Sequence, residues 1–536
     1  MLARPESDKD VGLARDQTST VELPDIADPG GLASPGTPAS RDRDIARLAT
    51  GAGVSLIGKL VGRGIHVLGQ VILARLLGPA AFGIYAIGWT LVHILGLIAP
   101  LGLDVGVVRY APRYWRTSPP HLRGVILQSL GWSTFSSFLT GAALFLAAPW
   151  LADGVFQEPE LTAVIRLFSL ALPTMTGLRV AAAATRVTQR MKYSVYAMEL
   201  CQPIVHLLLV VACGVAGLGL LGGVAAAVVS FGAAFTLALY YLKRLFPEAF
   251  TPGLQAPPVA RKLLTFSLPT SFAGMTVMLS LWVDRLLVGY FRPAAEVGIY
   301  QACSQSAMVF AIILAGFNTI LSPLIVDLFQ QRQKARLQEL YRVSTRWGLY
   351  ISLVIFLVIA IAARQILSLV FGSEYAAGGS ALILLAFGQL TVAATGATGM
   401  LMVMTGHQNR WFALSGCTLM LNIVLNVVLV PGWGITGAAL ATATALSALS
   451  LGGILQVRNR LHLWPYDRTY LKGLLATAFA ILAVLALHGS GNGSPFLSAL
   501  LATLVFTASL VFAGLEGEDR QIVALVRERL GLSGGH

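Results

Sequence analysis

The sequence predicts an all-α integral membrane protein of about fourteen transmembrane helices: two parallel six-helix bundles plus two C-terminal helices. Three observations predict it. The chain is 56% hydrophobic and 12% charged, with a mean hydropathy of +0.73. That is more apolar side chain than a soluble surface can cover. Cations fill alternate connecting loops, and two short motifs recur at one common offset.

The apolar runs lie at about 48–77, 82–108, 124–151, 161–185, 193–216, 218–242, 263–290, 295–326, 345–371, 376–405, 411–431, 434–457, 469–488 and 494–515. Each has about the length that a membrane helix needs. Punctuation such as "LGPAAFG" and "VPGWGITG" falls between them. Residues 1–46 are rich in Pro, Gly, Ser and Asp and predict a disordered tail. They hold no signal-peptide core or cleavage site, which places the tail in the cytoplasm. A six-helix bundle over 47–244 follows, then a cytoplasmic linker at 245–262, a second bundle over 263–460 and two more helices over 461–515. The end, 516–536, places Ile522, Leu525, Val526 and Leu530 on one face, an amphipathic helix at the cytoplasmic interface. "QQRQKARLQELYRV" extends a span into the cytoplasm in the same way.

One set of loops carries the cations: Arg109, Arg113, Arg116 and Arg123; Arg186, Arg190 and Lys192; Lys243, Arg244, Arg261 and Lys262. It continues with Arg332, Lys334, Arg336 and Arg342, then Arg410, then Arg458, Arg460 and Arg468. The intervening loops are short and hold Arg292 alone. Cytoplasmic loops collect Lys and Arg, so the alternation predicts a multi-pass protein with an even number of spans and both termini cytoplasmic. It also accounts for the net charge of +13 without a nucleic-acid partner.

"PAAFGIY" at 79–85 returns as "PAAEVGIY" at 293–300, and "GLGLLGGVAAA" at 217–227 returns as "GWGITGAALAT" at 432–442. Gly83 and Gly298, like Gly219 and Gly434, are 215 residues apart. A shared offset spanning six helices predicts a duplication with both copies in one orientation. Proteins built this way commonly bind their ligand between the halves near mid-membrane.

Several motifs resemble chemistry and lack its context. Gly53 to Lys59 spells GxxxxGK, but Leu60 stands where Ser or Thr must reach magnesium, and no strand precedes it. "GLGLLG" and "GWGITG" fit GxGxxG, yet each lies in a turn between apolar helices. No HExxH, nucleophile elbow or long outer loop offers an enzyme site, so neither catalysis, metal nor cofactor is expected. Cys201, Cys213, Cys303 and Cys417 lie in apolar runs without a CxxC pair and read as small hydrophobes.

The candidate site starts in the first span, "GVSLIGKLVGRGIHVLGQVILARLLG". Lys59, Arg63, His66 and Gln70 fall within an arc of about 60° at 100° per residue. With entry near residue 50, Arg63 lies about 20 Å deep. Facing lipid there costs about 3 kcal/mol on insertion scales, and snorkelling cannot rescue it. The stripe must face protein or water. Either it is paired internally, with Asp104, Glu199 or Asp284, or it forms a cationic wall for an anionic ligand such as a phosphate or pyrophosphate. The seventh span, its counterpart in the repeat, carries Ser267, Thr270, Ser271, Thr276 and Ser280 but no charge before Asp284 and Arg285. Further candidates are Arg179 in the fourth span, and Gln301 and Gln305 on one face of the eighth. Asn422 and Asn426 share a face of the eleventh, where helix–helix hydrogen bonding is the default for amides. Asp284 beside Arg285 reads as a local pair or as an ion-coupling carboxylate.

"LIGKLVGRGIHVLGQVILARLLGPAAFGIYA" at 56–86 resembles the first helix and turn of the Wzx-type polysaccharide flippases of the multidrug/oligosaccharidyl-lipid/polysaccharide exporter superfamily. Arg63, Gln70, Arg75 and the Leu-Gly-Pro turn at 77–79 match that pattern. "LWVDRLLVGYFRPAAEVGIYQA" at 281–302 and "VPGWGITGAALAT" resemble later parts of the fold, and the likeness covers about 47–460. The resemblance implies flipping of undecaprenyl-pyrophosphate-linked glycan from the cytoplasmic to the outer leaflet of a bacterial inner membrane, by two bundles that form a V and alternate its opening. It implies a polysaccharide polymerase or co-polymerase as protein partner, and Arg63 and Gln70 as cavity residues. Lys59 and His66 rest on the physical argument alone. The other readings are an ion-coupled antiporter of small organic cations, which a cationic stripe repels, a glycan polymerase or ligase, and a structural scaffold.

Overall fold

The structure, a computed structural model, describes residues 38–513 except Gln189, Pro252, Leu254, Leu281 and 490–493. The chain divides into Met1–Thr50 and Gly51–His536. Of the first unit, helical backbone from Pro38 is described. Over 38–46 the backbone is helical where the composition predicts disorder. Proline suits a helix start, and neither Gly nor Pro interrupts residues 39–50. A helix ends where its backbone is broken, not where its apolar face ends. The rest of the tail, and the helix expected over 516–536, lie outside the described residues.

The protein is all-helical, with no strand among the described residues. Eleven of the described helices are long and apolar enough to cross a membrane, so this is a multi-pass membrane protein. Two of them are double. Pro38–Ile98 has 61 residues and would stretch about 90 Å if straight, three times the hydrocarbon thickness. Gly78 turns it with φ 71° and ψ 173°, just before Pro79. Gln408–Leu461 is turned likewise at Gly434, with φ 55°. Such backbone angles cost little without a Cβ. Gly219, the sequence counterpart of Gly434, has φ 54°.

Three apolar runs are broken where hydropathy is continuous. The run 82–108 stops at Ile98 and restarts as Leu103–Tyr114, past Pro100 and Gly102. The run 376–405 divides at Gly396 into Gly379–Thr395 and Thr398–Met404. The run 263–290 divides into Ala260–Leu279 and Val283–Phe291. At that last break the Ser280 hydroxyl donates to the Thr276 carbonyl at 3.0 Å. Hydroxyls of this kind compete for helix carbonyls. Broken backbone is tolerated at membrane depth where protein or a wet cavity surrounds it.

Small residues set the packing. Val180 to Ala184 lie almost fully buried in the helix Ala171–Thr185. Lipid tails are as apolar as leucine, so close backbone approach rather than hydrophobic burial favours such contacts. The pair Tyr470–Gly489 and Pro495–Phe512 packs on Lys334–Val370 through Leu349, Leu353, Leu357, Ala476, Ala502 and Phe506. Arg346 of that helix donates to the Thr469 hydroxyl at 2.8 Å and lies 3.9 Å from the Asp467 carboxylate.

The parts of the chain before and after residues 246–259, which join Gly219–Leu245 to Ala260–Leu279, meet at both ends. At the cation-poor end, Gly83 lies against the Ala294 backbone and 2.9 Å from the Gly298 nitrogen, measured from where its Cβ would stand. The two copies of the repeated motif therefore touch each other. Beside them the Tyr375 hydroxyl donates to the Ala74 carbonyl at 2.9 Å, and Arg75 Nε donates to the Val370 carbonyl at 2.7 Å. At the cation-rich end the Gln128 amide accepts from Val259 N at 2.9 Å and donates to the Pro257 carbonyl at 2.7 Å. A Cβ at Gly106 would meet the Ser267 side chain.

Gly83→Val drives a branched side chain into the Ala294 carbonyl, at a cost of about 1–3 kcal/mol. Thermal unfolding of the purified protein should show a midpoint lower by several degrees. Gly131→Ala, where a Cβ meets nothing within 4 Å, should leave the midpoint unchanged or raise it.

Candidate functional site

The first helix is oriented by its glycines. Gly58, Gly62 and Gly69 share a face, and that face lies against Val195, Glu199 and His206. A Cβ at Gly62 would enter the Glu199 carbonyl, so the two backbones touch. Their partner segment Val195–Cys201 is a wide π-type turn of helix that leads into Gln202–Val215. The polar stripe sits about 60–120° round the helix from this face. Packing on the glycines therefore turns the stripe away from the nearest helix.

The stripe divides by depth. Lys59 and Arg63 are exposed, and neither forms an ion pair or hydrogen bond among the described residues. The carboxylates considered as partners are engaged elsewhere or stand apart. Asp104 pairs with Arg179 at 3.2 Å, Asp284 pairs with Arg285 at 3.2 Å, and Glu199 forms no ion pair among the described residues. His66 is half-buried, and Gln70 is buried with its amide nitrogen unpartnered among them.

His66 opens onto a cluster of rings. Its imidazole centroid lies 6.0 Å from Trp89 and 6.4 Å from His206. Trp89 also stacks on Phe231 at 5.9 Å and contacts His93 at 4.1 Å. The Tyr85 hydroxyl lies 3.5 Å from His206 Nε2. His93 then stacks on Trp282 at 5.2 Å, which carries the path across to the second half of the chain. Trp282 sits at the break in the seventh span, and the Arg285 guanidinium lies over its ring at 4.9 Å.

From Arg285 a buried polar network continues. Arg285 donates to Gln301 Oε1 at 2.5 Å, to the Ser304 hydroxyl at 2.8 Å and to Asp284 Oδ1 at 3.2 Å. Asp284 Oδ2 accepts from the Tyr300 hydroxyl at 2.7 Å and from Thr442 at 3.4 Å. Asn422 donates to Thr442 at 3.3 Å, and Asn426 donates to Asn422 Oδ1 at 3.2 Å. Asp284 is 2% exposed and Arg285 6%. Charges so dry persist when paired and hydrogen-bonded, and this pair meets both conditions.

The structure thus brings His66, Asp284, Arg285 and Gln301 onto one path of rings and polar groups. Gln70 sits one turn beyond His66. It places the others differently. Arg179 is held by Asp104 and by the Gly96 carbonyl at 3.1 Å. Gln301 is occupied by Arg285, and Gln305 is buried with no hydrogen bond to the stripe among the described residues. Sequence reasoning missed Trp89, His93, His206 and Trp282. A signal existed for two of them: His93 and His206 are titratable groups inside apolar runs, the same oddity that singled out Arg63. Nothing in the pattern brought the tryptophans forward.

Fold and site together define a polytopic helical protein with cations inside its first span that are unpaired among the described residues, and a buried charged network in its second half. The backbone shares the fold of a structure described as lipid II flippase MurJ, inward closed conformation. The TM-score is 0.67 at 11% identity, over 84% of this chain and 97% of that one. A model described as polysaccharide biosynthesis protein matches residues 48–329, and a MatE model matches 269–428. The chain belongs to the polysaccharide biosynthesis protein family, and the resemblance to the polysaccharide branch of the exporter superfamily holds. It is similar to the capsular polysaccharide biosynthesis protein CapF of Staphylococcus aureus, 21% identical over 34% of this chain and 46% of the relative. It is also similar to the lipid III flippase of Escherichia coli, 26% identical over 52% of this chain and 67% of the relative. Across three curated relatives the match spans 46%, 40% and 37% of their length, less than half in each.

Removing one member of the buried pair leaves the other uncompensated, at a cost of about 3–5 kcal/mol. Arg285→Leu should lower stability to denaturant accordingly, and the double variant Asp284→Asn/Arg285→Leu should recover part of the loss.

Proposed function

We propose that this protein flips a lipid-linked anionic glycan, an undecaprenyl-pyrophosphate-linked oligosaccharide, from the cytoplasmic to the outer leaflet of a bacterial inner membrane. The single observation that carries this reading is the pair of exposed cations on the first membrane helix, Lys59 and Arg63, which have no ion-pair partner among the described residues. A guanidinium offers bidentate hydrogen bonds to a phosphate, and an ammonium adds charge beside it. His66 and Gln70, deeper on the same stripe, supply ring and amide contacts of the kind a sugar accepts. Gln305 and Gln301 do the same from the second half once Arg285 releases Gln301. The lipid tail stays in the bilayer while the headgroup crosses, so no bond is made or broken. Alternating access then opens in turn the contacts at the two ends, those of Gly83 with Gly298 and those of Gln128 with the linker. Asp284 and Arg285, tied through Trp282 to His93, hold the two halves in register. A polysaccharide polymerase or co-polymerase would receive the product. Supporting this reading are the family membership and the likeness to proteins named as flippases.

The second reading, an ion-coupled antiporter of small organic cations, is favoured by the MatE match over 269–428. In that reading Asp284 would be the coupling carboxylate, but it already has a guanidinium and two hydroxyls against it. The exposed cations of the first span would also repel such substrates.

The test is complementation of a deletion strain, scored as surface glycan per molecule of expressed protein. Arg63→Ala should reduce export about tenfold or more, the loss of one charge-assisted contact of about 1.5–3 kcal/mol. Arg63→Lys should retain part of it. Unchanged export with Arg63→Ala at normal expression overturns the reading.

A further inference from the structure

Four arginines lie near the cation-poor ends of the membrane helices: Arg75, Arg166, Arg292 and Arg364. Two are accounted for. Arg292 pairs with Glu296 at 2.8 Å, and Arg166 lies over the Phe145 ring at 5.2 Å. Arg75 and Arg364 instead share a surface cavity of about 570 Å³, together with Gln365, Ser368, Leu369 and Phe496. Arg75 spends Nε and Nη2 on the Val370 and Leu369 carbonyls, which end their helix. Its Nη1 donates to nothing among the described residues. Arg364 is exposed and forms no ion pair or hydrogen bond among them. No carboxylate lines the cavity. Glu374 approaches Gly78, 3.6 Å from where a Cβ would stand, but pairs with neither arginine among the described residues.

Depth narrows the ligand. Arg364 lies six residues before the helix end at Val370, about 9 Å, and Arg75 lies three before the turn at Gly78, about 4.5 Å. Both sit near the boundary between hydrocarbon and headgroups. Leu369 and Phe496, 65% and 52% exposed, form an apolar wall beside them. A site with two guanidinium groups, a hydroxyl and an amide at headgroup depth, backed by apolar surface, matches a phosphate that carries acyl chains.

We propose that this cavity binds the headgroup of a resident anionic phospholipid. The site is separate from the stripe: Arg63 is twelve residues before Arg75, about 18 Å along the helix. It is also independent of the flippase reading. Its walls come from Pro38–Ile98 of the first half, Lys334–Val370 and the short turn Ser373–Gly378 of the second, and Pro495–Phe512 of the C-terminal pair. A lipid that bridges them stabilises the arrangement in which the halves meet at this end, because it binds that arrangement and not the separated one.

The test uses the full-length protein, purified in a neutral detergent. Phosphatidylglycerol, phosphatidylcholine and inorganic phosphate are added separately, and bound lipid is counted by native mass spectrometry alongside the thermal unfolding midpoint. Phosphatidylglycerol should remain bound and raise the midpoint, while phosphatidylcholine and inorganic phosphate should do neither. Arg364→Gln should bind phosphatidylglycerol about tenfold more weakly and lose most of the shift. Ser368→Trp, which fills the cavity without touching a charge, should lose it too and serves if Arg364→Gln does not accumulate. An equal response from phosphatidylcholine or inorganic phosphate overturns the proposal. So does no response in the wild type, or an undiminished response in the variants.

Discussion

A positive charge inside a bilayer must find a partner or water, and every singular feature of this protein follows from how each intramembrane cation meets that demand. Arg285 meets it with Asp284, Gln301, Ser304 and the face of Trp282. Arg179 meets it with Asp104 and a helix carbonyl. Arg75 meets it with the last carbonyls of a neighbouring helix, groups that the end of any helix leaves unsatisfied. Lys59 and Arg63 stand exposed without such partners among the described residues. Those left over after local pairing are the ones available to a ligand.

Close approach of small residues makes this distribution possible. Without a hydrophobic force between helices in lipid, backbones must come together for dispersion and hydrogen bonds to hold them. Gly58, Gly62 and Gly69 bring the first helix onto its neighbour and so aim the stripe. Gly83 and Gly298 bring the two copies of one motif together at the cation-poor end. Such a contact weakens steeply on separation, since a gap of about 0.5–1 Å forfeits a quarter to a half of the attraction.

The ring cluster links these two themes. Trp89 and His93 lie one turn apart on the stretch after Gly78, and they join His66 of the stripe to Trp282 at the broken seventh span. The break lets Trp282 leave the helical path and lie between His93 and Arg285. The break, rather than continuous helix, places the buried charged network in touch with the first half of the chain.

The sequence by itself determined that the chain is helical and crosses the membrane many times, because composition and run length are properties of the chain before it folds. It also located the turns at Gly78 and Gly434, since Gly and Pro act on their own backbone, and it singled out Arg63 because a buried cation is costly in any fold. Tertiary structure alone decided which cations are paired. Arg179 with Asp104 joins residues 75 apart, and hydropathy carries no record of a contact between distant helices. The helix breaks at Gly102, Gly396 and Ser280 escaped the reading because the apolar runs continue across them, and membrane helices tolerate an isolated Gly or Pro, so neither residue marks a break by itself. The tryptophans that complete the site escaped it because an aromatic ring in an apolar run looks like any other core residue until its neighbours are known. Local chemistry writes itself into a chain; the meeting of residues far apart in sequence, such as His93 and Trp282, is settled by packing, and the candidate site depends on such meetings.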